Sequence, residues 1–145
     1  KPEDFARSHP GGSLGRRLLT HVADVMRKGD AVPRVAPDVA FTALMREMSQ
    51  KGLGASAVVD AQGQVLGIFT DGDLRRLVEN GADLRNLTAR DVVHANPHSI
   101  RVDALAVEAA ELMEQCRITS LLVVDEAGGL CGALNTNDLM RAKVI

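Results

Sequence analysis

The stretch Gly67-Ile68-Phe69-Thr70-Asp71-Gly72-Asp73 is the part of this 145-residue chain best equipped for chemistry. Val65–Phe69 reads as a strand and the residues from Asp71 onward as a helix, so Thr70 stands at a helix N-terminus. Such a junction exposes free N–H groups and the positive end of the helix dipole, which suits a phosphate. Thr70 adds a hydroxyl. Asp73, in the first turn, can accept hydrogen bonds from two vicinal hydroxyls of a ribose. Its charge repels a phosphate placed too close, so a ligand would set its sugar on Asp73 and its phosphate towards Thr70. The same spacing also fits a capping box, with Thr70 capping and Asp73 answering at N3. From these residues alone both readings stand.

Few other side chains are arranged for chemistry. Cys116 and Cys131 lie far apart, and no Cys/His cluster has metal-ligand spacing. Two buried, reduced thiols are the expectation. His21, His94 and His98 have no partners by spacing and read as surface or loop residues. Trp and Tyr are absent and Phe occurs 3 times, so the stacking aromatics of a single-strand binder are missing. The net charge is −2 with mixed signs along the chain, and no basic face is evident. Nucleic acid is therefore not an expected partner. No secretory signal and no long apolar run are present, so no membrane association is expected. The first residue is Lys1, and the chain reads as a fragment of a cytoplasmic protein.

The elements that must position Thr70 and Asp73 occur twice. Shifted by 65 residues, Asp38–Arg76 meets Asp103–Arg141 without a gap, with 11 identities over 39 positions by direct count. Asp73 meets Asp138, while Thr70 meets Asn135. Upstream, with a slightly different shift, Val22–Met26 resembles Thr88–Val93. Each copy starts with an extended piece, Val32–Val35 or Ser99–Val102. Asp38 and Asp103 are expected to cap the helix that follows. Phe41, Leu44, Met45 and Met48 form its buried stripe, as do Leu105, Ala109, Leu112 and Met113 in the second copy. Strands at Ala55–Val59 and Ser120–Val124 lead through turns to Val65–Phe69 and Leu130–Leu134. Final helices start near Asp71 and Thr136, and Gly81 stops the first copy.

The expected fold is thus α/β (α+β): tandem β-α-β-β-α repeats at 22–81 and 88–145, packed with pseudo-twofold symmetry. One such unit is too small to bury much of its surface, and two would complete each other's core. Residues 1–21 read as a polar, Gly-rich linker from an N-terminal part.

Tandem β-α-β-β-α repeats, each ending Gly-h-h-[Thr/Asn]-x-x-Asp-Leu, resemble CBS domains over about residues 22–145. The resemblance implies one Bateman module with two clefts. The Thr-x-x-Asp position that meets ribose and phosphate of a nucleotide in that family matches Thr70 and Asp73, with Asp71 beside them. The second copy has Asn135 and Asp138, which keeps the acid and loses the hydroxyl. The cleft at Asp73 is therefore the expected stronger site. The resemblance also implies that the opposite repeat closes each cleft: Asp91, Arg101 and the Ile100–Asp103 stretch facing Thr70 and Asp73, and Asp38 with Pro37 facing Asp138. For Asp91 and Asp24, helix capping is the competing reading.

Ser8–Leu19, SHPGGSLGRRLL, is similar to the segment that ends the sugar isomerase (SIS) domain of bacterial D-arabinose 5-phosphate isomerases. Gly67–Arg76 (GIFTDGDLRR) and Gly29–Pro33 (GDAVP) match those enzymes as well. That resemblance implies a parent aldose–ketose isomerase that interconverts D-ribulose 5-phosphate and D-arabinose 5-phosphate on the way to Kdo and lipopolysaccharide. His9 matches its acid–base histidine, which acts only in the full-length enzyme. The fragment itself is expected to be non-catalytic and to need no cofactor. CMP-Kdo is the expected feedback ligand, with Arg34, Lys51, Arg75, Arg101 and Arg117 as candidate cations for its acid groups. Homodimers of CBS pairs within a homotetramer are the expected assembly. A generic adenine-nucleotide sensor and a purely oligomerising module, with the helices Phe41–Met48 and Leu105–Met113 facing another chain, are the alternatives.

Overall fold

The computed structural model describes residues 13–145. In the first repeat the strand β1 (Arg34–Val35) leads to the helix α3 (Phe41–Lys51), the hairpin β2 (Ala55–Val59) and β3 (Val65–Thr70), and the helix α4 (Asp71–Glu79). The second repeat matches it with β5 (Ser99–Arg101), α6 (Ala106–Cys116), β6 (Ser120–Val124), β7 (Leu130–Asn135) and α7 (Thr136–Arg141). Parallel strands cannot be joined by a tight turn, so α3 and α6 serve as the crossovers that set β1 beside β2 and β5 beside β6. Each hairpin is antiparallel and has a register shift at its turn end, between Val58 and Val59 or between Val123 and Val124. Short helices, α2 (Val22–Val25) and α5 (Ala89–Val92), open the two repeats. A further helix, α1 (Ser13–Leu19), lies against α6, within the stretch expected to be linker.

The crossover helices start two residues later than expected. Their N-caps are Ala40 and Leu105, and neither Asp38 nor Asp103 caps them. The reason is that backbone from the segment leading into the other repeat satisfies the leading donor of each helix. Phe41 N–H donates to Leu87 O at 2.9 Å, and Ala106 N–H donates to Thr20 O at 2.8 Å. The apolar stripes of these helices turn inward: Phe41, Leu44 and Met48, and Ala106, Ala109 and Met113, are buried in the chain's own cores. They do not form the outward apolar surface of the oligomer alternative.

The repeats exchange their leading segments. The strand β4 (His94–Ala95), from the second repeat, pairs with Gly67 and Ile68 on the edge of the first repeat's sheet, giving the order β1-β2-β3-β4. Arg27 pairs in the same way with Ala133 of the second sheet, whose order is β5-β6-β7. Two further bridges, His21 with Leu105 and Ala40 with Thr88, are equivalent under the internal symmetry. Gln64 pairs with Gly129, its own equivalent under the 65-residue shift, so this bridge lies on the pseudo-twofold axis.

The glycines kept at Gly67 and Gly132 permit the exchange. A Cβ on Gly67 would collide with the backbone oxygen of His94, and one on Gly132 would stand 2.5 Å from Met26 Sδ. The cores follow from this exchange. Phe41, Leu44, Val58 and Phe69 of the first repeat pack with Ala89 and Val93 of the second, and the Phe41 and Phe69 rings meet edge to face at 5.8 Å. Leu121, Val123, Leu134 and Leu139 of the second repeat pack with Val22 and Met26 of the first. Between the halves, Val32, Leu53, Ala55 and Ala57 meet Leu122 and Ala133. Fully burying a Leu, Val or Phe side chain contributes roughly 1.5–3 kcal/mol, and here much of that gain comes only when both repeats are present.

Candidate functional site

Thr70 ends β3 in an extended conformation and opens α4. Its hydroxyl accepts from Asp73 N–H at 3.1 Å, and its own N–H donates to Asp73 Oδ2 at 2.9 Å. The capping box is therefore formed. The box does not use up the site. The Thr70 hydroxyl hydrogen lies beside the Asp73 carboxylate, and a ligand phosphate would compete for it. Asp71 N–H is taken by Gly54 O at 3.0 Å, which leaves Gly72 N–H as the open donor of the first turn. Asp73 is buried, and its second oxygen, Oδ1, receives Arg76 Nη2 at 2.6 Å with His94 Nε2 at 2.8 Å. Burial pushes the Asp73 carboxyl up. The Thr70 N–H bond, the Arg76 bond, the Thr70 side chain and the nearby His94 together outweigh it and hold the group below its ordinary value.

These groups line an open cleft of about 640 Å³, a volume suited to a small organic ligand. Thr70, Asp71, Gly72 and Asp73 form one wall. The second repeat supplies the segment His94–His98 and the segment Arg117–Ser120. The expectation that the opposite repeat closes the cleft is met by different residues from those named in advance. Asp91 lies outside the cleft. Its Oδ2 accepts from Thr88 N–H at 2.8 Å and Thr88 Oγ1 at 3.1 Å, so it caps α5, and these bonds hold its carboxyl below the ordinary value. Arg101 also lies outside, 3.6 Å from Asp103 on the exposed edge of β5. His94 was not expected at the site. A signal was present, because Val25-Met26-Arg27 and Val92-Val93-His94 put a basic side chain at the same place in each repeat.

The second cleft is built differently. Asn135 Oδ1 accepts from Asp138 N–H at 2.9 Å, and Asn135 N–H donates to Asp138 Oδ2 at 3.0 Å, so the capping box is kept. Asn135 Nδ2 is spent on Leu53 O at 3.2 Å. Arg27 then closes over the acid: Nε donates to Asp138 Oδ2 at 3.0 Å, Nη2 to Oδ1 at 3.3 Å, and Nη1 to Lys51 O at 2.8 Å. Arg141 completes the shell around Asp138. A hollow of about 470 Å³ borders Asn135 but does not reach Asp138. Asp38 does not face Asp138. It is exposed and bonded to Arg90 at 2.6 Å, because the repeat's entry strand, not the turn before α3, covers the acid.

His9 lies outside the described residues. Cys116 and Cys131 are free and half-buried rather than buried, and Cys116 Sγ is 3.7 Å from His98 Nδ1. Among the described residues, no group of three or more His, Cys, Asp or Glu is placed to hold a metal ion. No described helix is long and apolar enough to cross a membrane.

The family profile of the CBS domain matches residues 22–80 and again 89–145. The chain is 48% identical over 143 residues to the arabinose 5-phosphate isomerase KdsD of Pseudomonas aeruginosa, covering 99% of this chain and 44% of that protein. The chain thus spans less than half the length of that relative. Among solved structures it is similar to CBSX2 in complex with AMP, with a TM-score of 0.74 at 22% identity, covering 86% of this chain and 96% of that one. It is also similar to the CBS domain pair of MJ0100 in complex with 5'-methylthioadenosine and S-adenosyl-L-methionine, with a TM-score of 0.74 at 19% identity, covering 84% and 94%. At these identities the likeness shows the fold.

Proposed function

The chain belongs to the CBS domain family, and from that premise we propose that it is the ligand-binding regulatory pair of an arabinose 5-phosphate isomerase, taking one nucleotide-type ligand in the cleft at Thr70 and Asp73. The observation that carries this reading is the chemistry gathered in that one cleft. A hydroxyl and an open helix amide suit a phosphate, and a buried carboxylate beside them suits a ribose diol. The ribose would take Asp73 Oδ1 in competition with His94 and Arg76. The relatives support the class: one is an isomerase, and two fold neighbours hold nucleosides or nucleotides.

We place CMP-Kdo first among the ligands. A ribose-binding cleft on the first enzyme of a pathway suits feedback by a product that is itself a nucleotide sugar. In the full-length enzyme His9 would serve as the acid–base group of the isomerisation, and the pair would act on that centre by binding two states of the enzyme with different affinity. CBS pairs would associate as dimers within a tetramer, in the cytoplasm. Titration calorimetry of the 145-residue chain tests the ligand. Heat with CMP-Kdo is expected, and silence with CMP-Kdo beside binding of AMP or ATP would overturn the choice in favour of an adenine-nucleotide sensor.

A further inference from the structure

We propose that Arg117 is a seat for a second anionic group on the bound nucleotide, so that the cleft selects nucleotides carrying an acid group beyond the phosphate held at Thr70. The proposal rests on the nucleotide reading of the Thr70–Asp73 cleft and adds a specificity residue to it.

Three observations converge on Arg117. The first is its backbone. Arg117 ends α6 with φ 55° and ψ 45°, in the left-handed region. Its equivalent in the first repeat, 65 residues earlier, is Gly52, with φ 64°. Glycine takes this conformation freely and a side chain takes it at a cost. The helix end therefore calls for glycine, and the second repeat carries arginine there. Strain of this kind collects where a side chain is needed. Asn96, also left-handed with φ 54°, lines the same cleft.

The second is its charge. Among the described residues the Arg117 side chain has no ion pair or hydrogen bond. The other basic groups around the site are engaged: Arg76 and His94 on Asp73, and Arg75 on Glu79 at 3.5 Å. The same holds for the remaining cations suggested by the sequence. Arg34 donates to Gly29 O at 3.1 Å, Lys51 to Glu47 at 3.1 Å, and Arg101 pairs with Asp103.

The third is its place. Arg117 lines the cleft that holds Thr70 and Asp73, and its neighbour Cys116 touches His98, which lines the same cleft. A guanidinium presents a planar fork that matches a carboxylate or a phosphate by two parallel bonds. A ligand anchored at Asp73 by its ribose and at Thr70 by its phosphate would meet this fork with whatever group it carries beyond. A sugar-acid carboxylate and a β-phosphate share the required chemistry.

Calorimetry with CMP, CDP and CMP-Kdo tests this on the wild-type chain, Arg117→Gly and Arg117→Asn. Both substitutions suit the left-handed backbone, and thermal melts check that each variant folds. The wild type is expected to bind CDP or CMP-Kdo at least about tenfold more tightly than CMP, as a charge-assisted contact would give. A preference for CMP-Kdo alone identifies the carboxylate, and one for CDP alone the phosphate. In both variants the preference should fall to within about threefold, with CMP affinity unchanged. A preference that survives both substitutions, or a wild type that binds all three nucleotides equally, overturns the role of Arg117 and leaves the nucleotide reading intact. A wild type that binds neither these nucleotides nor AMP overturns both.

Discussion

Arg27 holds Asp138 by two bonds, at 3.0 and 3.3 Å, where the other repeat sets His94 against Asp73 by a single contact of 2.8 Å. The internal symmetry thus yields two buried acids at two helix starts, of which Asp73 lines an open cleft and Asp138 is held by a guanidinium fork. The difference lies in the segment each repeat lends to the other, and it turns on whether the second residue after Val25 or Val92 carries a guanidinium fork or an imidazole.

One ligand per chain is the expected stoichiometry, because the Arg27 fork holds both Asp138 oxygens and the neighbouring hollow does not reach that acid, whereas Asp73 lines the open cleft. Calorimetry should return a single site. Arg27→Ala removes the fork and leaves Asp138 with Arg141, which should lower stability by about 2 kcal/mol in a thermal or urea melt. A second site seen in the wild type would contradict the closed cleft.

Asp73 makes the cleft pH-dependent on the acid side. Its folded-state carboxyl is held below the ordinary value of about 3.9, so its contribution to stability is present above that value and fades as pH falls through the folded one. Asp73→Asn is expected to melt below the wild type at neutral pH, by about 1 kcal/mol for the weakened cap. The gap should close as pH drops below about 4. Melting curves from neutral pH down to about 3 check the sign, and a gap that widens on acidification would contradict it.

Gly67 is expected to tolerate no side chain. Its Cβ would stand against the backbone of His94 and the Val93 side chain, so Gly67→Ala must push β4 off the sheet edge. A loss of about 1–3 kcal/mol is expected, as in overpacked cores. Because β4 carries His94 into the cleft, ligand affinity should fall as well. Denaturant melts and calorimetry on the same variant read both effects.

The repeat, its strands and the two hairpins were legible because the 65-residue shift lines up Val58, Val59, Gly67 and Asp73 with Val123, Val124, Gly132 and Asp138. Strand alternation and turn glycines act locally, so they are written locally. The start of α3 was misplaced because the donor that Asp38 would have capped is met by Leu87 O, from far along the chain. Asp91 was drawn into the cleft, and His94 left out of it, for a related reason. Which residue of an entry segment turns inward depends on the pairing of β4 with β3 across the repeats, and no local pattern carries that register. Arg117 was legible only as one cation among five; its left-handed backbone and lack of an acid partner are properties of the fold.

The most direct test of the single-ligand cleft is a crystal structure of the chain soaked with CMP-Kdo. Ligand density is expected in one place, with the ribose hydroxyls on Asp73, the phosphate at Thr70 and the Gly72 amide, and Arg27 still on Asp138. Density over Asp138 with the Asp73 cleft empty would contradict it.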